Sequence, residues 1–331
     1  MVALYDSQAA LSRQSVVEVE WRWRMPTRFA SEIGAERLGR MFDSSQIDVS
    51  GIDGNVVAID FGASNTDAAA VIDGKLYVWS ERRKGIPSVE GIHALLGAVN
   101  LQRDDLRLLA VTGGHHQILP EVIGTVPVVK VGELLAIGRG GQALATGSWR
   151  VPEEPLLIVS AGSGTAMVAA RGEQYQHVTG TGVGGGTLLG LGRLLLATVD
   201  PVEIDELAKR GDPNGADLAI RDLVTGPIGT LPADATAVNF GRLARMDDMP
   251  SREDLAAALV NMIGQVIATL ATNAARSAQL QRGVVTGHLT DMETTRMTMA
   301  QVGSFFGLPL ETCGEAGYAT VIGALLHAAH R

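Results

Sequence analysis

Cysteine is nearly absent. Cys313 stands alone in 331 residues, so no intrachain disulfide can form and the fold must rest on packing. Positive charge is also short. Lys and Arg number 27 against 36 Asp and Glu, a formal net charge of −9, so neither nucleic acid nor a membrane is an expected partner. Any phosphate this chain handles must be held locally, by backbone amides and a metal ion. No apolar run reaches the roughly 18 residues that a bilayer-spanning helix needs. Residues 1–14 show no basic segment followed by an apolar core, so no signal peptide is expected and the cytoplasm is the expected compartment. Aromatics make up only 4%, whereas glycine numbers 40 without a fixed period, which fits tight turns and close approaches of backbone to ligand. With 46% hydrophobic and 19% charged residues, the chain reads as globular. It is long enough for one large two-lobed domain.

Residues 1–53 stand apart as an N-terminal extension. Trp21, Arg22, Trp23 and Arg24 alternate there, and 30–42 is helix-like. This part either packs outside the fold or serves as a capping or dimer-contact element. Order is expected from Val56: a strand at 56–60, a Gly-rich turn, a strand at 67–72, an Asp73-Gly74 hairpin turn and a strand at 75–80. A helix at 91–99, strands at 106–114 and 127–131, and a helix at 133–145 follow. A second unit repeats the opening, with strands at 155–160, 165–170 and 173–178. Two such units predict a duplicated α/β fold with lobes at 54–150 and 151–331. The later chain reads as mostly helical: one segment at 194–211 ending at Gly211, a long helix at 251–279 opened by a Ser-x-x-Asp signature, a strand at 283–288 and an amphipathic helix at 317–330.

Five features carry chemistry. Asp60 ends the first strand and is followed by Gly62, Ala63 and Ser64, small residues whose amides and hydroxyl can approach a phosphate. Asp60 itself can hold Mg²⁺ through water. Gly162, Ser163, Gly164 and Thr165 repeat the arrangement about one hundred residues later. Each is by itself only a turn; as a pair, one per lobe, they would face each other across a cleft and grip the polyphosphate of ATP. The run Thr181-Gly182-Val183-Gly184-Gly185-Gly186-Thr187 cannot be helix interior. A helix should begin near Thr187, its free amides aimed at an anion. Gly287 ends a short strand in a turn that could pass an adenine ring. Glu133 opens a helix, where a carboxylate is ordinarily a dipole partner, but a carboxylate can also accept the proton of an attacking hydroxyl. His115 and His116 invite a metal reading, yet neighbours in a strand point apart and no carboxylate is suitably spaced. Asp212 and Asp217 bind substrate or cap helices.

From Val56 onward these residues together resemble the type II pantothenate kinases. The most specific element is GTGVGGGTLLGLGRLLL at 180–196, joined by TGG (112–114), VGELLAIGRG (131–140), RGDPNGADLAIRD (210–222), TAVNFGRL (236–243) and GEAGYATVIGALL (314–326). The resemblance implies an actin-like (ribonuclease H-like) two-lobe ATPase fold, ATP with Mg²⁺ and a homodimer formed through long helices. It also implies phosphorylation of pantothenate, the first step of coenzyme A biosynthesis, with possible feedback by CoA or acyl-CoA. Glu133 falls at the catalytic glutamate, Gly184, Gly185 and Gly186 on the nucleotide side, and Thr165, Ala166, His177 and Thr181 near the substrate. Three positions depart from the family pattern. Asp67 stands where the family has a phosphate-contacting lysine, His177 where it has an arginine that contacts pantothenate, and Ala166 where it has a small hydroxyl residue. A histidine cannot replace a bidentate carboxylate clamp directly. A kinase acting on another hydroxylated acceptor, and a nucleotide- or acyl-CoA-binding sensor without turnover, therefore stay open.

Overall fold

The computed structural model describes residues 42–44, 47–83, 85–102, 105–225 and 232–330. The Trp/Arg run at 21–24 and nearly all of the 30–42 segment lie outside the described residues. In the first sheet, β1 (Phe42–Ser44), β2 (Val56–Phe61), β3 (Asn65–Ile72), β4 (Lys75–Arg82), β5 (Leu108–Gly113), β6 (Val122–Ile123) and β7 (Val126–Lys130) lie in the order β1-β4-β3-β2-β5-β7-β6. In the second, β8 (Leu156–Ala161), β9 (Thr165–Arg171) and β10 (Gln174–Thr181) precede a small pair, β11 (Leu218–Ala219) with β12 (Thr236–Val238). The second sheet is completed by β13 (Gly283–Thr286) and β14 (Leu310–Thr312), in the order β10-β9-β8-β13-β14.

Both sheets share one plan. An antiparallel trio, β4-β3-β2 or β10-β9-β8, is extended by parallel strands, β5 and β7 or β13 and β14. The central strands are buried on both faces, which is why Val56, Val57, Ala58 and Ile59, and later Leu156, Leu157, Ile158 and Val159, read as unbroken apolar runs. Asp73 and Gly74 both take positive φ, as an Asp-Gly hairpin turn requires. The duplicated two-lobe α/β plan is thus present in the chain.

Helices cover the sheets: α1 (Val89–Gly97), α2 (Glu133–Thr146), α3 (Gly185–Leu195), α4 (Pro201–Arg210), α5 (Ile220–Leu223), α6 (Arg252–Ser277), α7 (Glu293–Phe305) and α8 (Ala319–Ala329). The C-terminal helix α8 does not stay with the second sheet. Its Val321, Ile322, Leu325 and Leu326 join Val56, Ala58 and Val71 in one core. It crosses α2 closely because Gly140 and Gly323 carry no side chain: a Cβ on Gly140 would lie 1.7 Å from the carbonyl oxygen of Ala319, and one on Gly323 1.9 Å from that of Ala136. Ile137 on α2 meanwhile packs with Leu156 and Ile158. The helix that begins at Glu133 is therefore wedged between the two sheets.

Three boundaries differ from expectation. Order starts before Val56: β1 pairs with β4, and Ile47, Val49 and Ile52 are buried in the first core. The 194–211 segment is two helices, because Ala197 takes positive φ and Asp200 caps a fresh start at Pro201. Finally, α6 is long and apolar enough to cross a membrane (mean hydropathy 1.7 over its apolar stretch), but 67% of that stretch is buried inside the fold. Leu259, Ile263 and Ile267 lie in the core with Leu157, Val159 and Met167 of the second sheet.

Candidate active site

The two glycine turns meet. Ser64 Oγ lies 2.9 Å from Ser163 Oγ, with the 62–64 turn on the first sheet and the 162–164 turn on the second. The first turn is braced by a residue that sequence reasoning passed over. Arg83 donates its backbone N–H to Ser64 O (3.1 Å), Nη1 to Gly62 O (2.9 Å) and Nε to Gly85 O (3.0 Å). Ala63 and Ser64 are exposed at its tip.

The second turn is braced by the glycine run. Gly185 N donates to Gly162 O (2.8 Å), Gly186 N to Ser163 O (2.9 Å) and Gly184 N to Thr187 Oγ1 (3.3 Å). The helix opens at Gly185, two residues before the expected start near Thr187, and the amides of Gly184, Gly185 and Gly186 are engaged rather than free. The glycines are needed for contact: a Cβ on Gly184 would sit 2.8 Å from both Gly162 O and Ser163 O, and one on Gly186 2.9 Å from Ser163 O. Backbone packs on backbone, and the start of α3 supports the turn from behind. Thr165 and Thr181, expected near substrate, serve the same assembly. Thr165 Oγ1 donates to Val183 O (2.8 Å), and Thr181 Oγ1 accepts from Val183 N (3.2 Å).

Carboxylates line the floor beneath the first turn. Asp60 and Asp67 are register partners across β2 and β3. Burial, then the charges of Asp67 and Glu133, push the Asp60 carboxyl up to about 8, with His288 opposing. Glu133, exposed at the first position of α2, is thus brought within electrostatic reach of Asp60. Gly113, opposite Phe61, leaves room for the cluster: a Cβ there would lie 2.3 Å from Asp60 Oδ1. Asp67 is tied down. Ser80 Oγ donates to its Oδ1, and His288 Nε2 lies 3.1 Å from the same atom. His288 Nδ1 faces Asp291 Oδ2 at 2.8 Å. Burial alone would lower the imidazole pKa, but Asp67 and Asp291 outweigh it and hold it well above the ordinary histidine value.

The turns after β5 and β13 correspond. β5 closes on Thr112-Gly113 and β13 on Thr286 with Gly287 next, and the two glycines have φ of +82° and +93°. Gly287 lies against the second glycine turn, where a Cβ would meet Ala161 O at 2.3 Å and Gly162 N at 3.0 Å. Both threonine hydroxyls are buried without a hydrogen-bond partner.

The other candidates have partners of their own. Ala166 pairs with Gly180, and His177 is exposed on β10, opposite Val168. Asp217 is fully buried and accepts from Phe240 N (2.7 Å), Thr236 Oγ1 (3.0 Å) and Asn261 Nδ2 (3.1 Å). Asp212 caps Asn214 (2.9 Å). With Arg242, which reaches Asn214 O, Asp217 O and Asp222, they lock β11, β12 and α5 together. The 210–222 and 236–243 motifs are therefore two halves of one structural knot. His116 is buried against Gly113 O (2.6 Å) and Gln117, and no group of metal ligands occurs among the described residues.

The family described as Fumble matches residues 148–327, more than half of the chain. A type II pantothenate kinase from Oceanobacillus iheyensis is 30% identical over 217 residues, covering 65% of this chain and 80% of that protein. One from Staphylococcus aureus is 29% identical over 189 residues, 56% of this chain and 70% of that protein. Among solved structures, (R)-2-hydroxyglutaryl-CoA dehydratase component A of Acidaminococcus fermentans aligns at TM-score 0.56 and 16% identity, over 84% of this chain and 100% of that one. A ROK family glucokinase from Streptomyces griseus, in complex with glucose and AMPPNP, aligns at 0.51 and 12%, over 82% and 98%. These two share the fold alone; the sequence matches go further, and the chain belongs to the Fumble family, together with the type II pantothenate kinases.

Proposed function

We propose that the protein transfers the γ-phosphoryl group of ATP to the primary hydroxyl of pantothenate, the entry step of coenzyme A biosynthesis. The observation that carries the chemistry is the meeting of the 62–64 and 162–164 turns at Ser64 and Ser163, above a floor holding Asp60 and Glu133. The turns hold the polyphosphate between the lobes, with Gly62, Ala63 and Ser64 on one side and Gly162, Ser163 and Gly164 on the other. The turn at Gly287 borders the adenine side. Glu133 accepts the hydroxyl proton as the acceptor oxygen attacks the γ-phosphorus, and ADP departs.

Asp60 is the one floor residue that this reading gives to a hard divalent cation, through water. Asp60 offers carboxylate oxygens, and its raised pKa marks a half-buried carboxylate crowded by like charge. Mg²⁺, held by Asp60 through water, would supply neutralisation of the phosphate charge. Thr165, Ala166, His177 and Thr181 border the acceptor side, where Thr165 and Thr181 act by shaping the Val183 turn. The protein works in the cytoplasm as a homodimer, with CoA esters as candidate feedback ligands.

The test is product identification. Pantothenate incubated with the protein, ATP and Mg²⁺ should gain one phosphoryl group by mass, and Glu133→Gln should slow the gain by about 10²–10⁴-fold. Unchanged phosphorylation by Glu133→Gln removes Glu133 from its role. One observation favours a second reading: His177 stands exposed where a permanent cation would clamp a carboxylate. In that reading the acceptor is another hydroxylated compound, and pantothenate stays unmodified while ADP forms with a different alcohol.

A further inference from the structure

His288 follows the Gly287 turn of the second sheet, yet both its ring nitrogens face carboxylates: Nε2 lies 3.1 Å from Asp67 Oδ1 of the first sheet, and Nδ1 lies 2.8 Å from Asp291 Oδ2. A neutral imidazole has one N–H, so it would turn a lone pair toward one of these carboxylates; two donors require the imidazolium. The ring is built into place. It stands edge-on to Tyr318 at 5.4 Å, and Gly317 makes room for it, since a Cβ there would lie 2.5 Å from Nδ1. Other groups act on it through Asp67: Ser80 donates to the same oxygen, and Asp60 is Asp67's register partner. The floor therefore carries Asp60, Asp67 and Glu133 beneath the two phosphate turns, and His288 is the cation paired to it.

We propose that His288 is a positioning residue for the nucleotide: by pairing with Asp67 across the lobes, it neutralises the carboxylate beside Asp60 so that the cleft admits a polyanion. This rests on the reading of the cleft as a nucleotide site. Without the imidazolium, Asp67 is an uncompensated negative charge close to where phosphate must lie, and repulsion at that range in a partly buried site is strong. The role is electrostatic, so removing the carboxylate should cure the loss of the cation.

The test is calorimetric titration of the full chain with Mg²⁺ and a non-hydrolysable ATP analogue, a readout that needs no acceptor. His288→Gln, which keeps one hydrogen-bond donor but no charge, should weaken the nucleotide by about tenfold or more. Asp67→Asn in the His288→Gln background should restore most of the lost affinity. Wild-type nucleotide affinity in His288→Gln, or a loss that Asp67→Asn leaves or deepens, overturns the proposal. If His288→Gln cannot be purified, recovery of a folded, nucleotide-binding protein in the double variant supports the proposal, and a double variant that also fails to fold or bind counts against it. Failure of the wild type to bind the analogue at all would refute the nucleotide reading itself. Binding without turnover of pantothenate would refute only the assigned acceptor.

Discussion

At corresponding points of the two sheets, Asp60 faces Asp67 while Ser160 faces Ala166. The hairpins that follow differ by one residue: four, 62–65, lie between the last register pair of the first, and three, 162–164, in the second. The first turn is braced by a side chain, Arg83, above an acidic floor; the second is braced by backbone, from the glycine run of α3. Duplication thus gave two similar cradles that divide the work. On the proposed reading, the first half holds the charges that the chemistry needs, and the second offers a neutral, preorganised surface. On that reading, a protein short of basic residues would handle a polyphosphate with local hydrogen-bond donors and very few cations.

That division can be broken in graded steps. The largest effect is expected at Glu133, where Glu133→Gln should lower kcat by about 10²–10⁴-fold, the usual contribution of a positioned base, with little change in nucleotide affinity. If affinity falls in parallel, the charge belongs to the nucleotide site and the division is drawn wrongly. Next comes the second turn. Gly184→Ala puts a Cβ 2.8 Å from Gly162 O and Ser163 O, and a displacement of about 1 Å there should reduce kcat/KM by roughly 10²-fold. Gly182→Ala is the control, since nothing lies within 4 Å of its Cβ, and its kinetics should stay near wild type. Equal damage from both would mean the run acts through flexibility and not through contact. A smaller change is expected for Arg83→Ala, which loosens the first turn and should raise the KM for ATP by about three- to tenfold with kcat largely kept.

The smallest effect concerns the shell around the second lobe. Burial would raise the Asp205 carboxyl, but the Thr294 hydroxyl, the N–H groups of Thr294 and Glu293, and Lys209 outweigh it and hold the pKa below the ordinary value. Because the folded pKa is depressed, this stabilisation is present above the unfolded value near 3.8 and is lost as pH falls through the folded one. Asp205→Asn should therefore cost about 1 kcal/mol at neutral pH through the weakened cap on α7, with the gap to wild type closing on acidification. A gap that is constant with pH would assign the loss to packing.

Much of this was legible in the sequence because it is local. Strand periodicity, the Asp73-Gly74 turn and the paired glycine turns fix the duplicated plan through neighbours in the chain. Glu133 and Asp60 are marked by their places at a helix start and a strand end. What stayed hidden depends on distant contacts. His288 is one histidine after a glycine, and its partner Asp67 is 221 residues away. Asp67 was visible only as a departure from the family pattern, not as half of an ion pair. The glycine run suggested free amides, since a sequence cannot show that Gly162 O and Ser163 O already accept from them. Asp212 and Asp217 left binding and capping open until their partners, Asn214, Thr236, Phe240 and Asn261, were in place. The start of the fold at β1 was missed because an edge strand of three residues leaves almost no periodic signal.

The most direct measurement is ADP release by the purified protein with ATP and Mg²⁺, in the presence and absence of pantothenate. Pantothenate should raise the rate at least about tenfold over the background hydrolysis, as an acceptor positioned against Glu133 would. A rate indifferent to pantothenate, in a protein that binds the nucleotide, would contradict pantothenate as the acceptor and turn attention to other alcohols at the His177 side of the cleft.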